Sequence, residues 1–247
     1  VADYRPRDMA AGGEDAPLDP YADLLLVGHP RRSPAVCNLG GIANLTYLSA
    51  GGGPDDVLAF DTGPGNMVMD GLVQRMSGGR QTFDAGGRRA RAGRVHEDLL
   101  GDLLRHPFLR RRPPKSTGRE TFGPAFVDDL LERGQALGLG EADVVATAAA
   151  FTVQAIARAC GRLPGAVDEM ILCGGGARNP ALVAMLRDAL APAPVRLTDD
   201  LGLDADAKEA VAFALLAAAT IRGRAGNLPA ATGADRPVVL GTIVPGS

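Results

Sequence analysis

Asp61 is the side chain around which this 247-residue sequence could do chemistry. It follows the apolar run 57–60 and sits in the heptad Phe60-Asp61-Thr62-Gly63-Pro64-Gly65-Asn66. Met67, Val68, Leu72, Val73 and Met76 then recur at helical spacing. The pattern places a carboxylate at a strand end, then a glycine turn, then a helix start. Gly63 and Gly65 can take φ > 0 and admit a ligand close to the backbone. The first amides of a helix lack internal partners and carry partial positive charge, which suits phosphate. A carboxylate beside a phosphate cradle is equipment for phosphoryl transfer. The same heptad also reads as an ordinary strand–turn–helix joint with a solvated aspartate.

A second joint of this kind follows the buried run Glu169-Met170-Ile171-Leu172-Cys173. Gly174-Gly175-Gly176 lets a flat ring or a sugar lie against bare backbone, although the segment is not the G-x-G-x-x-G dinucleotide pattern. Asn179 suits a helix N-cap and Pro180 the first helical position. Asp206 and Glu209 form an Asp-x-x-Glu capping pair opening a helix to about Ile221, which by itself accounts for Glu209. Arg5 and Arg7 can fork onto carboxylate or phosphate, or belong to a solvated basic loop. The segment 113–120 carries both signs of charge and reads equally as a cleft wall or as plain surface.

The elements that must position these residues follow from apolar periodicity. Short strands are expected at 35–39, 44–48 and 57–60, joined by tight turns and therefore antiparallel. A helix runs to about Met76. Residues 77–125 are irregular, with arginine clusters around a short amphipathic helix on Leu99, Leu100, Leu103 and Leu104. Helices follow at 126–137 and 142–160, the latter rich in alanine. Strand 169–173, a helix, strand 195–197, the helix to 221 and a last strand at 238–243 complete the chain. The order is the βββαβαβα of an α/β, ribonuclease-H-like lobe, with a helical insert at about 77–140.

Composition narrows the partners. A net charge of −3, 4% aromatics and no tryptophan argue against nucleic-acid binding. Cys37, Cys160 and Cys173 form no C-x-x-C pair and read as buried thiols of a reducing cytosol. The three histidines have no metal-ligand spacing. The expectation is that no apolar run reaches membrane-spanning length and that the opening residues are not a signal peptide.

Several motifs, in order, carry a family resemblance: Asn38-Leu39-Gly40-Gly41-Ile42-Ala43-Asn44-Leu45-Thr46, the Phe60–Asn66 heptad, Lys115 to Glu120, Cys173 to Asn179, and Asp206-Ala207-Lys208-Glu209-Ala210. The opening Asp3-Tyr4-Arg5 through Gly13 and the closing Asn227-Leu228-Pro229 with Thr232-Gly233-Ala234 belong to the same set. Together they resemble anhydro-N-acetylmuramic acid kinase, of the actin-like ATPase and sugar kinase superfamily, over essentially the whole chain. The resemblance implies an ATP-dependent enzyme of cell-wall recycling. It opens the 1,6-anhydro ring and phosphorylates O6, giving N-acetylmuramic acid 6-phosphate. Asp61 is then the general base. Gly63, Gly65 and Asn66 meet phosphate, Gly174, Gly175, Gly176 and Asn179 lie against the nucleotide, and Arg5 and Glu209 hold the sugar. ATP implies Mg2+, for which the sequence shows no ligand set; a cytoplasmic homodimer is also implied.

The family's first phosphate loop, Gly-Thr-Ser-x-Asp-Gly, is not present in these residues, and Val1 to Arg5 reads as the end of a strand. The expectation is therefore a carboxy-terminal lobe at 29–247 preceded by the tail of an amino-terminal lobe at 1–28, with little or no turnover by the chain alone. A catalytically dead binding or dimerisation lobe, and another actin-like small-molecule kinase, are the alternative readings.

Overall fold

The computed structural model describes residues 1–13, 18–205 and 207–244. Five strands form one sheet: β1 (Pro34–Leu39), β2 (Ile42–Leu48), β3 (Val57–Pro64), β4 (Glu169–Cys173) and β5 (Val195–Leu197), in the order β3-β2-β1-β4-β5. The first three are antiparallel neighbours, while β4 runs parallel to both β1 and β5. This is the sheet of a ribonuclease-H-like lobe. All five positions of β4 are buried, as a parallel strand covered on both faces requires.

Twelve helices surround the sheet among the described residues: α1 (Arg5–Ala10), α2 (Asp19–Val27), α3 (Met67–Met76), α4 (Arg88–Ala92), α5 (Glu97–Leu103), α6 (Pro107–Arg110), α7 (Arg119–Phe122), α8 (Pro124–Ala136), α9 (Glu141–Cys160), α10 (Pro180–Leu190), α11 (Lys208–Ile221) and α12 (Pro229–Thr232). One sheet face, through Cys37, Leu39, Leu45, Tyr47 and Leu172, packs on the main core, which α3, α9, α10 and the α4–α8 insert share. The alanines of α9 let it lie close to β3, α3 and α10. By length and composition α9 is also apolar enough to cross a membrane, but most of it is buried inside the fold. The other sheet face carries Leu48, Val57 and Ala59 under Leu228 and Ala231, flanked by Tyr21 and Leu24 of α2.

Two expectations need correction, and a third lies partly outside the described residues. β3 does not stop at Phe60 but continues through Asp61 to Pro64, because its partner β2 begins at Ile42 and keeps the ladder going. The strand expected at 238–243 is reduced to a single bridge between Ala2 and Thr242. There Gly226 N donates to Val238 O, and Val238 N donates to the side chain of Asn227, so loop contacts replace a ladder. The opening strand end is the other half of that bridge. The proposed Asp206–Glu209 capping pair is only half described, since Asp206 lies outside the described residues; Ala207 stands at the N-cap of α11.

The two end motifs meet in space. Asp8, fully buried in α1, accepts at Oδ1 from Asn227 Nδ2 (2.7 Å) and Thr232 Oγ1 (2.9 Å). A Cβ on Gly13 would lie 2.0 Å from Asp8 Oδ2, so only glycine fits there. Residues more than 200 positions apart thus form one knot, which explains why acid, amide, hydroxyl and glycine occur in the two motifs.

Candidate active site

Asp61 lies on β3 opposite Asn44, where the register shifts at Ala43/Asn44. The bulged Thr62 turns inward and donates to Ala43 O (3.1 Å). A bulge bends the strand and re-aims its neighbours, a device common beside active sites. The Asp61 carboxylate is gripped from two sides. Asn44 Nδ2 donates to Oδ1 (3.0 Å) and the Thr117 amide to Oδ2 (2.8 Å), while the Asp61 amide donates to Lys115 O (3.1 Å). The loop 115–120, for which the sequence supplied no role, is therefore the clasp of the candidate base. No local spacing shows this, because Thr117 is 56 residues away along the chain. Its resemblance motif and mixed charge were the only signals.

Burial pushes the Asp61 carboxyl above its ordinary 3.8, against the hydrogen bonds from Asn44 and Thr117 and the charge of Lys115. Lys115 is itself buried, with Nζ 4.3 Å from the Phe108 ring centre and donating to Phe108 O. Burial lowers its ammonium to about 8, helped by Arg162 and Arg111 and opposed by Asp61. A carboxylate held rigid and half-desolvated is poised to accept a proton, and the neighbouring cation keeps it ionised until it does.

The rest of the heptad locks onto the β1–β2 turn. Gly65 N and Met67 N donate to Gly41 O, and Asn66 N to Gly40 O. A Cβ on Gly65 would stand 2.1 Å from Gly40 O, so this glycine permits backbone to approach backbone. Gly63, at φ 151, is buried against Leu109 and Ala155. The heptad therefore meets open space through Asn66 rather than through Gly63 or Gly65.

At the second joint, Gly174 takes φ 79 and Gly175–Arg178 form a 3-10 turn. Asn179 caps α10 as expected, its Oδ1 accepting from Ala181 N (3.0 Å) and Leu182 N (3.3 Å). Asn66, at the N-cap of α3, and Asp70 of α3 face Gly175, Gly176 and Asn179 across a cavity of about 530 Å³, with Phe83 and Asp84 of the insert on a further wall. Asp61 is not part of that wall; it reaches the cavity only through the helix that follows it. A second cavity, of about 310 Å³, shares Asn66 and Asp70 and adds Gly41, Gln74 and Arg119, the last from the loop that clasps Asp61.

Burial, and then the facing Asp84, raise the Asp70 carboxyl to about 6. Its folded value lies above the unfolded one, so the penalty of the charge is present in full above pH 6 and fades as pH falls toward 4. Asp70→Asn is therefore expected to raise the melting temperature at pH 7.5 and to leave it nearly unchanged at pH 4, read by thermal melts at both.

Glu209 is exposed in the first turn of α11 and lines a smaller cavity, about 190 Å³, with Asp19, Asn38, Gly174 and Lys208. Beneath it Lys208 Nζ and Asp23 Oδ1 form a buried ion pair at 2.8 Å. Arg5 is exposed at the start of α1, and none of the three cavities above includes it. Cys37 and Cys173 are buried thiols pushed up by desolvation, Cys173 to about 12, so both stay protonated. Among the described residues, no group of three or more His, Cys, Asp or Glu is placed to hold a metal.

A family model described as "Anhydro-N-acetylmuramic acid kinase" matches residues 1–246. A protein of that name from Gloeobacter violaceus is 52% identical over 246 residues, covering 99% of this chain and 64% of the relative. One from Caldanaerobacter subterraneus is 46% identical, covering 98% and 62%. The chain thus spans a little under two thirds of the length of these relatives. Among solved structures, an activator of 2-hydroxyisocaproyl-CoA dehydratase from Clostridium difficile aligns at 14% identity and TM-score 0.42, covering 79% of this chain and 62% of that one.

Proposed function

The chain belongs to the anhydro-N-acetylmuramic acid kinase family, and on that premise we propose that the protein carrying it uses ATP and water to convert anhydro-N-acetylmuramic acid into N-acetylmuramic acid 6-phosphate. The observation that carries the reading is the Asp61 clasp: a half-buried carboxylate with one donor on each oxygen and a buried lysine beside it. Asp61 takes a proton from water as the water oxygen bonds to the anomeric carbon. The bond from that carbon to O6 breaks, and its electron pair stays on O6. O6 then bonds to the γ-phosphorus as the bond to the ADP oxygen breaks. Position and charge supply most of such catalysis.

The nucleoside lies in the cavity between Asn66 and the Gly174–Gly176 turn, with Asn179 at its edge. The phosphates run past the Asn66 side chain toward the second cavity. Arg119 there offers a cation beside the Asp61 loop, and Gly63 and Gly65 shape this path without facing it. Glu209 and Arg5 are assigned to the sugar through the family resemblance, and the Gly174 cavity supports Glu209. Mg2+ would accompany ATP here and would neutralise charge on its phosphates, commonly with one or two protein carboxylates completing its oxygen ligands. Residues 29–247 act as the nucleotide-binding lobe and 1–28, anchored to it by the Asp8 knot and α2, as the tail of an amino-terminal lobe, in a cytoplasmic homodimer.

The test is to incubate the longest product of the gene with ATP and the anhydro-sugar and weigh the products. The reading expects ADP and a sugar heavier by one water and one phosphoryl group. ATP left intact in the presence of the anhydro-sugar would reject it.

A further inference from the structure

The nucleotide cavity has an acidic and aromatic wall that phosphate binding does not use. Asp70 lies one helical turn beyond Asn66, whose carbonyl accepts the Asp70 amide (2.8 Å), so the two side chains share one face of α3. The Asp70 carboxylate has no hydrogen-bond partner among the described residues. Facing Asp84 differs, because both its oxygens are occupied by amides at the start of α4, Arg89 N (2.9 Å) and Ala90 N (3.0 Å). The one cation on the cavity wall, Arg178, is already paired with Asp199 and Asp204. Phe83, on the same wall, is 58% exposed, whereas every other phenylalanine among the described residues is buried or half-buried.

On this wall two carboxylates whose one neighbouring cation is already paired disfavour a triphosphate and the carboxylate of a muramic acid alike, while the cation for phosphate, Arg119, lies in the second cavity. The two carboxylates suit a neutral, hydroxyl-rich group. An ionised carboxylate with both oxygens open accepts two vicinal hydroxyls, and an exposed ring at the rim offers a face for a planar base. We propose that Asp70 is the ribose anchor of this site, accepting the 2′- and 3′-hydroxyls of the nucleotide, and that Phe83 covers the base. The inference rests on the nucleotide reading above and adds the part of the nucleotide that is selected. It makes the enzyme specific for ribonucleotides over 2′-deoxyribonucleotides.

The test is calorimetric titration of the purified protein with ADP and with 2′-deoxy-ADP, in Mg2+, for wild type, Asp70→Asn, Asp70→Ala and Phe83→Ala. Wild type is expected to prefer ADP by roughly tenfold or more, the scale of a hydrogen bond to a charged group. In Asp70→Ala the ratio should collapse toward one, chiefly because ADP weakens. In Asp70→Asn, which keeps one acceptor, it should fall partway. Phe83→Ala should weaken both ligands alike and leave the ratio unchanged. Equal binding of the two ligands by wild type, or a ratio that survives Asp70→Ala, would overturn the proposal. So would a ratio that stays fixed while Asp70→Ala shifts the Mg2+ dependence of ADP binding, which would make Asp70 a metal ligand. If wild type binds neither ligand, the nucleotide reading itself falls. ADP binding without sugar discrimination removes only the ribose anchor. Circular dichroism melts of each variant keep loss of fold separate from loss of contact.

Discussion

Asp61→Asn is expected to cut kcat of the full gene product by about 10²–10⁴-fold, the range general-base catalysis supplies. Nucleotide affinity should stay within about twofold. The substitution keeps shape and one acceptor for the Thr117 amide, and Asn44 can present its amide oxygen to the new amide group. The clasp therefore survives while the proton acceptor does not. Burial now disfavours the charged form of Asp61, so removing that charge should not lower the melting temperature. Nucleotide affinity is spared because the cavity wall is formed by Asn66 and Asp70 rather than by Asp61. Steady-state kinetics and ADP titration on the same preparation separate the two effects. A variant with unchanged kcat would exclude Asp61 as the base, whatever the fate of the fold.

The largest loss of stability is expected from Asp23→Ala. Asp23 on α2 and Lys208 on α11 are both nearly sealed from solvent. Burial pushes the Lys208 ammonium down, but the carboxylates of Asp23 and Asp19 outweigh it and hold the group above its ordinary value. Removing the carboxylate leaves a buried cation without its partner, a loss of about 3–5 kcal/mol. For a chain of this size that is roughly 10 °C in melting temperature. Replacing both partners, Asp23→Leu with Lys208→Met, should recover most of it, because an apolar pair of similar volume needs no compensation. Urea unfolding of the single and double variants decides the matter. A single variant within about 1 kcal/mol of wild type would show that Lys208 finds another partner or water. Because Glu209 follows Lys208 directly, the pair also fixes where α11 begins and what faces the Gly174 cavity.

Elements governed by local rules were legible in the sequence. The three antiparallel strands needed only their apolar runs and glycine turns. The start of α10 needed only Asn179 and Pro180, whose capping chemistry is local. The two glycine joints were also legible as joints, and the structure brings Asn66, Gly175, Gly176 and Asn179 around one cavity. What escaped was decided by partners far along the chain. Gly65 looked like an opening for a ligand, but the carbonyl of Gly40 fills the space its missing Cβ leaves. The final strand had the right residues, yet Asn227 takes the amide of Val238. The clasp on Asp61 joins β3 to a loop within the helical insert, and the Asp8 knot joins the two ends. Asp70 was counted only as part of a helix, because nothing in its spacing shows that its neighbours leave the carboxylate without a partner.

The central claim is that Asp61 drives water onto the anomeric carbon while O6 takes the phosphoryl group. The most direct measurement is turnover of the full gene product in ¹⁸O-water, with the label located in the product by fragmentation mass spectrometry. The account predicts one ¹⁸O on the anomeric carbon of the phosphorylated sugar and none in its phosphate. Label in the phosphate, or a phosphorylated sugar carrying no label on that carbon, would contradict it.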